Sequence, residues 1–111
     1  MAGKINIGCV VYTETDTGLE AVWHYDNGEI LESGTGIAKR LTPLNKDKIF
    51  EGEFVITYFD TDNEPIANLT LIIVFEKEYY KLSWLKDGEL AFAGMGFFRD
   101  DQLVAGYSKV V

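Results

Sequence analysis

Apolar and polar residues alternate with period two, or run together as β-branched and aromatic stretches, over residues 5–13, 19–26, 29–40, 50–60, 66–77, 79–86, 89–99 and 102–110. Such runs predict strands, and turn chemistry falls between them: Asp16-Thr17-Gly18, Asp26-Asn27-Gly28, Asp60-Thr61-Asp62-Asn63, Lys77-Glu78, Asp87-Gly88 and Asp100-Asp101. Asn27-Gly28 and Asp87-Gly88 are the strongest hairpin signals, because both dipeptides tolerate the positive φ angles of a type I′ turn. The long connection Thr42-Pro43-Leu44-Asn45-Lys46-Asp47-Lys48 is polar and has room for one helical turn. No stretch sustains a 3.6-residue period, and neither Pro43 nor Pro65 interrupts a strand interior.

One pattern occurs twice. Trp23 and Gly28-Glu29-Ile30, followed by Gly34-Thr35-Gly36, match Trp84 and Gly88-Glu89-Leu90, followed by Gly94-Met95-Gly96. The glycines are 60 residues apart and the tryptophans 61, which implies a one-residue insertion in one hairpin. The match divides the chain into two four-strand halves, about 5–60 and 66–110, with the indoles at equivalent places. Sequential strands joined by short turns form a meander, and eight of them can close on themselves and remove both sticky edges. Glycines inside the third and seventh strands suit the bends that closure needs. The expected fold is therefore all-β: one domain over residues 1–111, an eight-stranded antiparallel up-and-down barrel, with a β-sandwich as the alternative.

The segment from Tyr79-Tyr80-Lys81-Leu82-Ser83-Trp84 through Gly94-Met95-Gly96-Phe97 to Leu103-Val104-Ala105-Gly106-Tyr107 resembles small bacterial proteins of the avidin-like and lipocalin-like (calycin) barrel superfamily, many of them functionally uncharacterised. That resemblance implies a meander around an apolar interior, often a ligand cup. The Gly-x-Trp of lipocalin first strands is missing, since Cys9-Val10 follow Gly8, and no biotin-contacting set can be matched.

Composition narrows the chemistry. Of 111 residues, 47% are apolar, enough for a packed core, and the longest uninterrupted apolar run, Leu71 to Phe75, is far short of the roughly 18 residues of a membrane helix. Eighteen acids against ten bases give a net charge of −8, which argues against nucleic acid and against an anionic membrane surface. A single cysteine, Cys9, allows no internal disulfide, and Met1-Ala2-Gly3-Lys4-Ile5 lacks the apolar segment of a signal peptide, so a cytoplasmic location is expected. The sequon Asn68-Leu69-Thr70 lies inside a strand pattern and carries no weight.

Candidate catalytic groups are scarce. His24 is the sole histidine and, next to Trp23 on a strand, faces outward if the indole faces inward. A Cys9–His24 pair would require both on one face of neighbouring strands, an arrangement not expected here. Metal sites of three His/Cys ligands are excluded by supply. Asp60-Thr61-Asp62-Asn63-Glu64 resembles the start of a calcium loop but has Pro65 and Leu71 where the loop needs glycine and glutamate. The Gly-x-Gly pairs lack the following helix of a phosphate cradle. No catalytic residue, metal or cofactor is therefore assigned, and the chain is read as a non-enzyme.

Glu32 occupies the position of Phe92 in the other half; facing inward, it would need a partner such as Lys39, Arg40 or a ligand cation. Strand alternation leaves that face open. A two-residue loop at Asp87-Gly88 sets Trp84 against Ala91, a three-residue loop against Leu90, and a one-residue slip reverses every side chain. The aromatic positions carry more weight, because an eight-strand barrel is either filled by side chains or holds one small ligand. Two functions follow as expectations. The first is binding of a small apolar or aromatic ligand in the interior, by Trp23, Tyr25, Tyr58, Tyr80, Trp84 and Glu32. The alternative is a filled-core interaction or regulatory module, acting through its acidic surface or as a homodimer, with Ile72, Val74 or Phe97 exposed.

Overall fold

A computed structural model describes residues 5–110. Met1 to Lys4 and Val111 lie outside the described residues, and with them most of the segment read for an export signal. Eight strands follow in order: β1 (Ile7–Glu14), β2 (Gly18–Asp26), β3 (Leu31–Arg40), β4 (Gly52–Asp60), β5 (Pro65–Glu76), β6 (Tyr79–Lys86), β7 (Glu89–Arg99) and β8 (Gln102–Lys109). Each pairs antiparallel with its neighbour, and β8 returns to β1 from Ile7↔Ser108 to Thr13↔Gln102. The expected up-and-down barrel is the observed fold. Closure leaves no unpaired edge.

Alternation sorts the side chains. Val10 and Tyr12, Leu19, Ala21 and Trp23, Phe54 and Ile56, Leu69, Leu71 and Ile73, Tyr80, Leu82 and Trp84, and Leu103 and Ala105 all point inward and are buried. The Gly-x-Gly faces, open in the sequence, are resolved by the same alternation: Gly34, Gly36, Gly94 and Gly96 lie in phase with these residues. A Cβ on Gly34 would stand 1.8 Å from the Phe59 carbonyl oxygen, and one on Gly94 2.1 Å from that of Gly106. The neighbouring strand occupies the space a side chain would need, so glycine is required at both close approaches.

The hairpins differ from the simplest expectation. Asp87 and Gly88 (φ 52° and 84°) form the two-residue turn with both φ angles positive, and Lys86 faces Glu89. A register shift then places Trp84 opposite Phe92, not Ala91. The bulge absorbs Ala91, whose carbonyl accepts from Val110 N–H at 2.9 Å, and keeps Trp84 and Phe92 on the inner face. The Asn27-Gly28 turn is longer. Gly28 has positive φ, and Asn27 Oδ1 accepts from the Glu29 and Ile30 N–H groups.

The predicted repeat does not extend to the register. Trp23 faces Gly34, whereas Gly94 faces Leu82 and Trp84 faces Phe92. The two indoles are both buried but have different cross-strand partners.

Residues 41–51 connect β3 to β4 without a helix, through two successive i to i+3 turns at Asn45–Lys48 and Lys48–Glu51. Phe50, read as the start of a strand, instead turns into this end of the barrel. It is completely buried and meets Tyr80 edge-on and Phe98 at a tilt. Arg40 anchors the strap by donating to the Glu51 and Ile49 carbonyls while lying over the Phe54 ring. Arg40→Lys keeps the charge but loses the fork. The expected result is faster amide exchange across residues 45–51 and a stability loss of about 1–2 kcal/mol; unchanged exchange there would contradict the anchoring role.

Candidate functional site

The end opposite the Phe50 plug carries the turns at residues 27–30, 61–64 and 87–88. Here the interior widens into a cavity of about 150 Å³. Six aromatic side chains line it: Trp23 and Tyr25 from β2, Tyr58 from β4, Trp84 from β6, Phe92 from β7 and Tyr107 from β8. Val10, Ala67 and Leu69 complete the apolar wall, and Ile66 and Glu32 also contribute to the lining. Small residues make the room. Gly34 and Gly36 bring no side chain into the barrel where a Cβ would approach Trp23 and Tyr58, and a Cβ on Gly8 would collide with the Tyr107 ring.

The rings hold one another. Tyr25 stacks on Tyr107 at 5.8 Å between centroids and 5° between planes, while Phe92 meets both edge-on. Trp84 lies 5.3 Å from Tyr107, and Trp23 is edge-on to Tyr58. Their polar tips are largely satisfied within the protein. Trp84 Nε1 donates to Tyr58 Oη at 2.7 Å, and Tyr58 and Tyr12 share a 2.6 Å hydroxyl hydrogen bond. Trp23 Nε1 donates to the Thr35 carbonyl at 2.9 Å, and Tyr107 Oη to the His24 carbonyl at 3.3 Å. The cavity therefore offers ring surface and few free donors. Below it, Tyr12, Leu19, Phe54, Ile56, Leu71, Ile73, Leu82 and Phe50 are fully buried in the barrel core.

Burial pushes the Tyr12 hydroxyl well up, with the neighbouring Tyr58 adding to the effect, and burial likewise raises Tyr58 although its hydrogen bonds to Tyr12 and Trp84 oppose the shift. The folded state thus holds both protons more tightly than the unfolded chain, whose tyrosines titrate near 10.0. Below that pH both states keep the proton and the stabilisation is complete. Above it the unfolded chain ionises first, and stability falls by about 1.4 kcal/mol per pH unit for each tyrosine. Alkaline unfolding is expected to coincide with the appearance of tyrosinate absorbance from these two residues. Their titration near 10 in a barrel that remains folded would contradict the burial.

Of the residues singled out from sequence, Trp23, Tyr25, Tyr58, Trp84 and Glu32 meet at this cavity. Tyr80 does not. It shares the inner face of β6 with Trp84 but lies four residues, about 13 Å, along the strand, against Phe50 and Phe75 at the plugged end. Phe92 and Tyr107 were missing from the set, although Leu103, Ala105 and Tyr107 alternate as plainly as the rest. Glu32 sits opposite Tyr25 on the inner face, but at the mouth and exposed, so it is not a buried charge in need of a protein cation. Arg40 is at the other end of β3, committed to the strap. Burial, then the Glu32 charge, raises the Tyr25 hydroxyl, and burial also raises Tyr107.

The other chemistry-bearing groups lie apart. His24 faces outward, as expected once Trp23 is inside. Contrary to expectation, Cys9 is its direct cross-strand partner on the outer face. Both are exposed, and no hydrogen bond joins their side chains. Asp60 Oδ1 accepts from the Asp62 and Glu64 N–H groups, shaping its own turn. No cluster of three His, Cys, Asp or Glu side chains suited to a metal ion occurs among the described residues. Comparisons with protein-family models, with curated proteins and with solved structures find no match.

Proposed function

We propose that the protein is a non-enzymatic, calycin-like barrel that binds one small apolar or aromatic group in the aromatic cup at its open end. The observation that carries this reading is the cavity of about 150 Å³ walled by six aromatic rings. An apolar cavity of about that volume in another protein stays dry and takes up benzene. The cup is smaller than the roughly 300–1,000 Å³ of ordinary small-molecule pockets, so its occupant is a single ring or a group of similar bulk, not an extended lipid.

The two tryptophans provide the test, since both line the cup and each gives one indole N–H resonance. Titration with benzene is expected to shift both resonances saturably. Ala67→Leu, which fills the cup from β5, is expected to abolish the shifts while the amide spectrum stays that of a folded barrel. Unchanged indole resonances up to the solubility of benzene would contradict the proposal.

A second reading has its own observation. Phe97, Val104, Val11 and Val22 stand opposite one another in register across β7, β8, β1 and β2, forming one outward apolar row with Phe97 and Val22 more than half exposed. Val74 is exposed as well, whereas Ile72 is half-buried. Such a row suits self-association. Under that reading sedimentation velocity shows a concentration-dependent dimer, which Val22→Lys abolishes; a monomer at all concentrations would contradict it.

A further inference from the structure

We infer that the cup selects an organic cation, a methylated ammonium head, from the juxtaposition of its aromatic walls with the Glu32 carboxylate at its mouth. This inference rests on the binding reading above and specifies the class of ligand. Two independent features lead to it.

The first is the lining. Trp23, Tyr25, Tyr58, Trp84, Phe92 and Tyr107 present π surface, Glu32 is the sole charged residue among the lining side chains, and no lysine or arginine joins it. Aromatic faces attract cations through the ring quadrupole, most strongly where water is excluded. An anion would meet no compensating charge. A strongly hydrogen-bonding neutral ligand would find both indole N–H groups and the Tyr58 hydroxyl already engaged. A quaternary ammonium needs no hydrogen-bond acceptor, only contact with polarisable surface and a nearby negative charge, which matches what the cup offers.

The second feature is the charge around the mouth. The segments 26–29, 60–64 and 87–89, together with Glu32, place eight carboxylates at the open end, where Lys86 and Lys109 are the described cations. Most of the net charge of −8 is therefore concentrated at this end. The plugged end mixes both signs, with Arg40, Lys46, Lys48, Lys77 and Arg99 among its acids. A predominantly acidic rim around an apolar recess raises the local concentration of cations. The volume suits a trimethylammonium head, whose bulk is comparable to that of a single ring.

Choline and its uncharged isostere 3,3-dimethyl-1-butanol separate charge from shape. Titration of each, followed by the indole resonances, is expected to show choline binding about tenfold or more tightly than the isostere, the scale of a desolvated cation–π contact. Glu32→Gln is expected to weaken choline about fivefold and leave the isostere unchanged. Asp62→Asn, on the same rim but outside the cup, changes choline affinity less than about twofold, as expected for a screened surface charge. Equal affinities for the two compounds would overturn the cation assignment, as would an unchanged choline affinity in Glu32→Gln. So would failure of both compounds where benzene binds; in these cases the apolar cup stands. Failure of benzene as well would remove the binding reading beneath it.

Discussion

Gly34→Ala is expected to prevent the barrel from closing. The new Cβ would lie 1.8 Å from the Phe59 carbonyl oxygen and 2.9 Å from its carbon, so the collision is with the backbone of β4 and no rotamer relieves it. Relief requires β3 and β4 to separate at Gly34, with loss of ladder hydrogen bonds and of the fit of Trp23 against the missing side chain. A cost above about 4 kcal/mol is expected, a large part of the stability of a domain of this size. Gly94→Ala meets the Gly106 carbonyl at 2.1 Å and should behave alike. The control is Gly106→Ala, whose Cβ would find nothing nearer than 3.9 Å; it is expected to be neutral or mildly stabilising. Urea denaturation of the three variants checks the set, and a Gly34→Ala protein as stable as Gly106→Ala would contradict the close approach of β3 and β4.

Tyr58→Phe is expected to cost about 2–4 kcal/mol and to lower the melting temperature by about 10 °C or more. The Tyr58 hydroxyl joins the Trp84 N–H to the Tyr12 hydroxyl, and removing it leaves both buried groups without that partner. An orphaned donor costs more than the hydrogen bond contributed, because water no longer reaches it in the folded state. Tyr12→Phe is milder, about 1 kcal/mol, since Tyr58 still receives the Trp84 proton. The double variant should fall short of the sum of the two, as expected for members of one network. Thermal unfolding of the three variants measures this; a Tyr58→Phe loss below about 0.5 kcal/mol would show that the triad contributes nothing.

Most of the fold was legible because its signals are local. A two-residue period needs only neighbouring positions, and Asp87-Gly88 carries its turn geometry in its own backbone preferences. Closure could be inferred from the cost of open edges. What local pattern could not supply was register. The bulge at Ala91 sets Trp84 against Phe92, and no feature of the hairpin sequence distinguishes that from an unbroken ladder. The four-residue loop between Asp26 and Leu31, against the two-residue turn between Lys86 and Glu89, breaks the equivalence of the two indoles that the repeat suggested. Phe50 adjoins β4 and continues its apolar pattern in the sequence, whereas its role as a plug depends on Arg40 anchoring the strap from across the loop.

For the candidate site, alternation put the right side chains inside but said nothing of depth along the barrel. Tyr80 and Trp84 share a face of β6, yet one packs at the plug and the other at the cup. Tyr107 joins the cup through closure of β8 on β1, a pairing nearly a hundred residues apart in sequence. Cys9 and His24 became neighbours through the β1–β2 register, but on the outer face, away from the cup. Alternation left the face of Glu32 open; its pairing with Tyr25 turns it inward, and its exposure follows from its being the second residue of β3, at the mouth.

A crystal soaked in bromobenzene tests the central claim most directly, because bromine reports its own position by anomalous scattering. The expected result is one dominant bromine peak inside the open end of the barrel, bounded by Trp84, Phe92 and Tyr107. An empty cup in a crystal whose bromine peaks lie along the outer Phe97–Val22 row would contradict it.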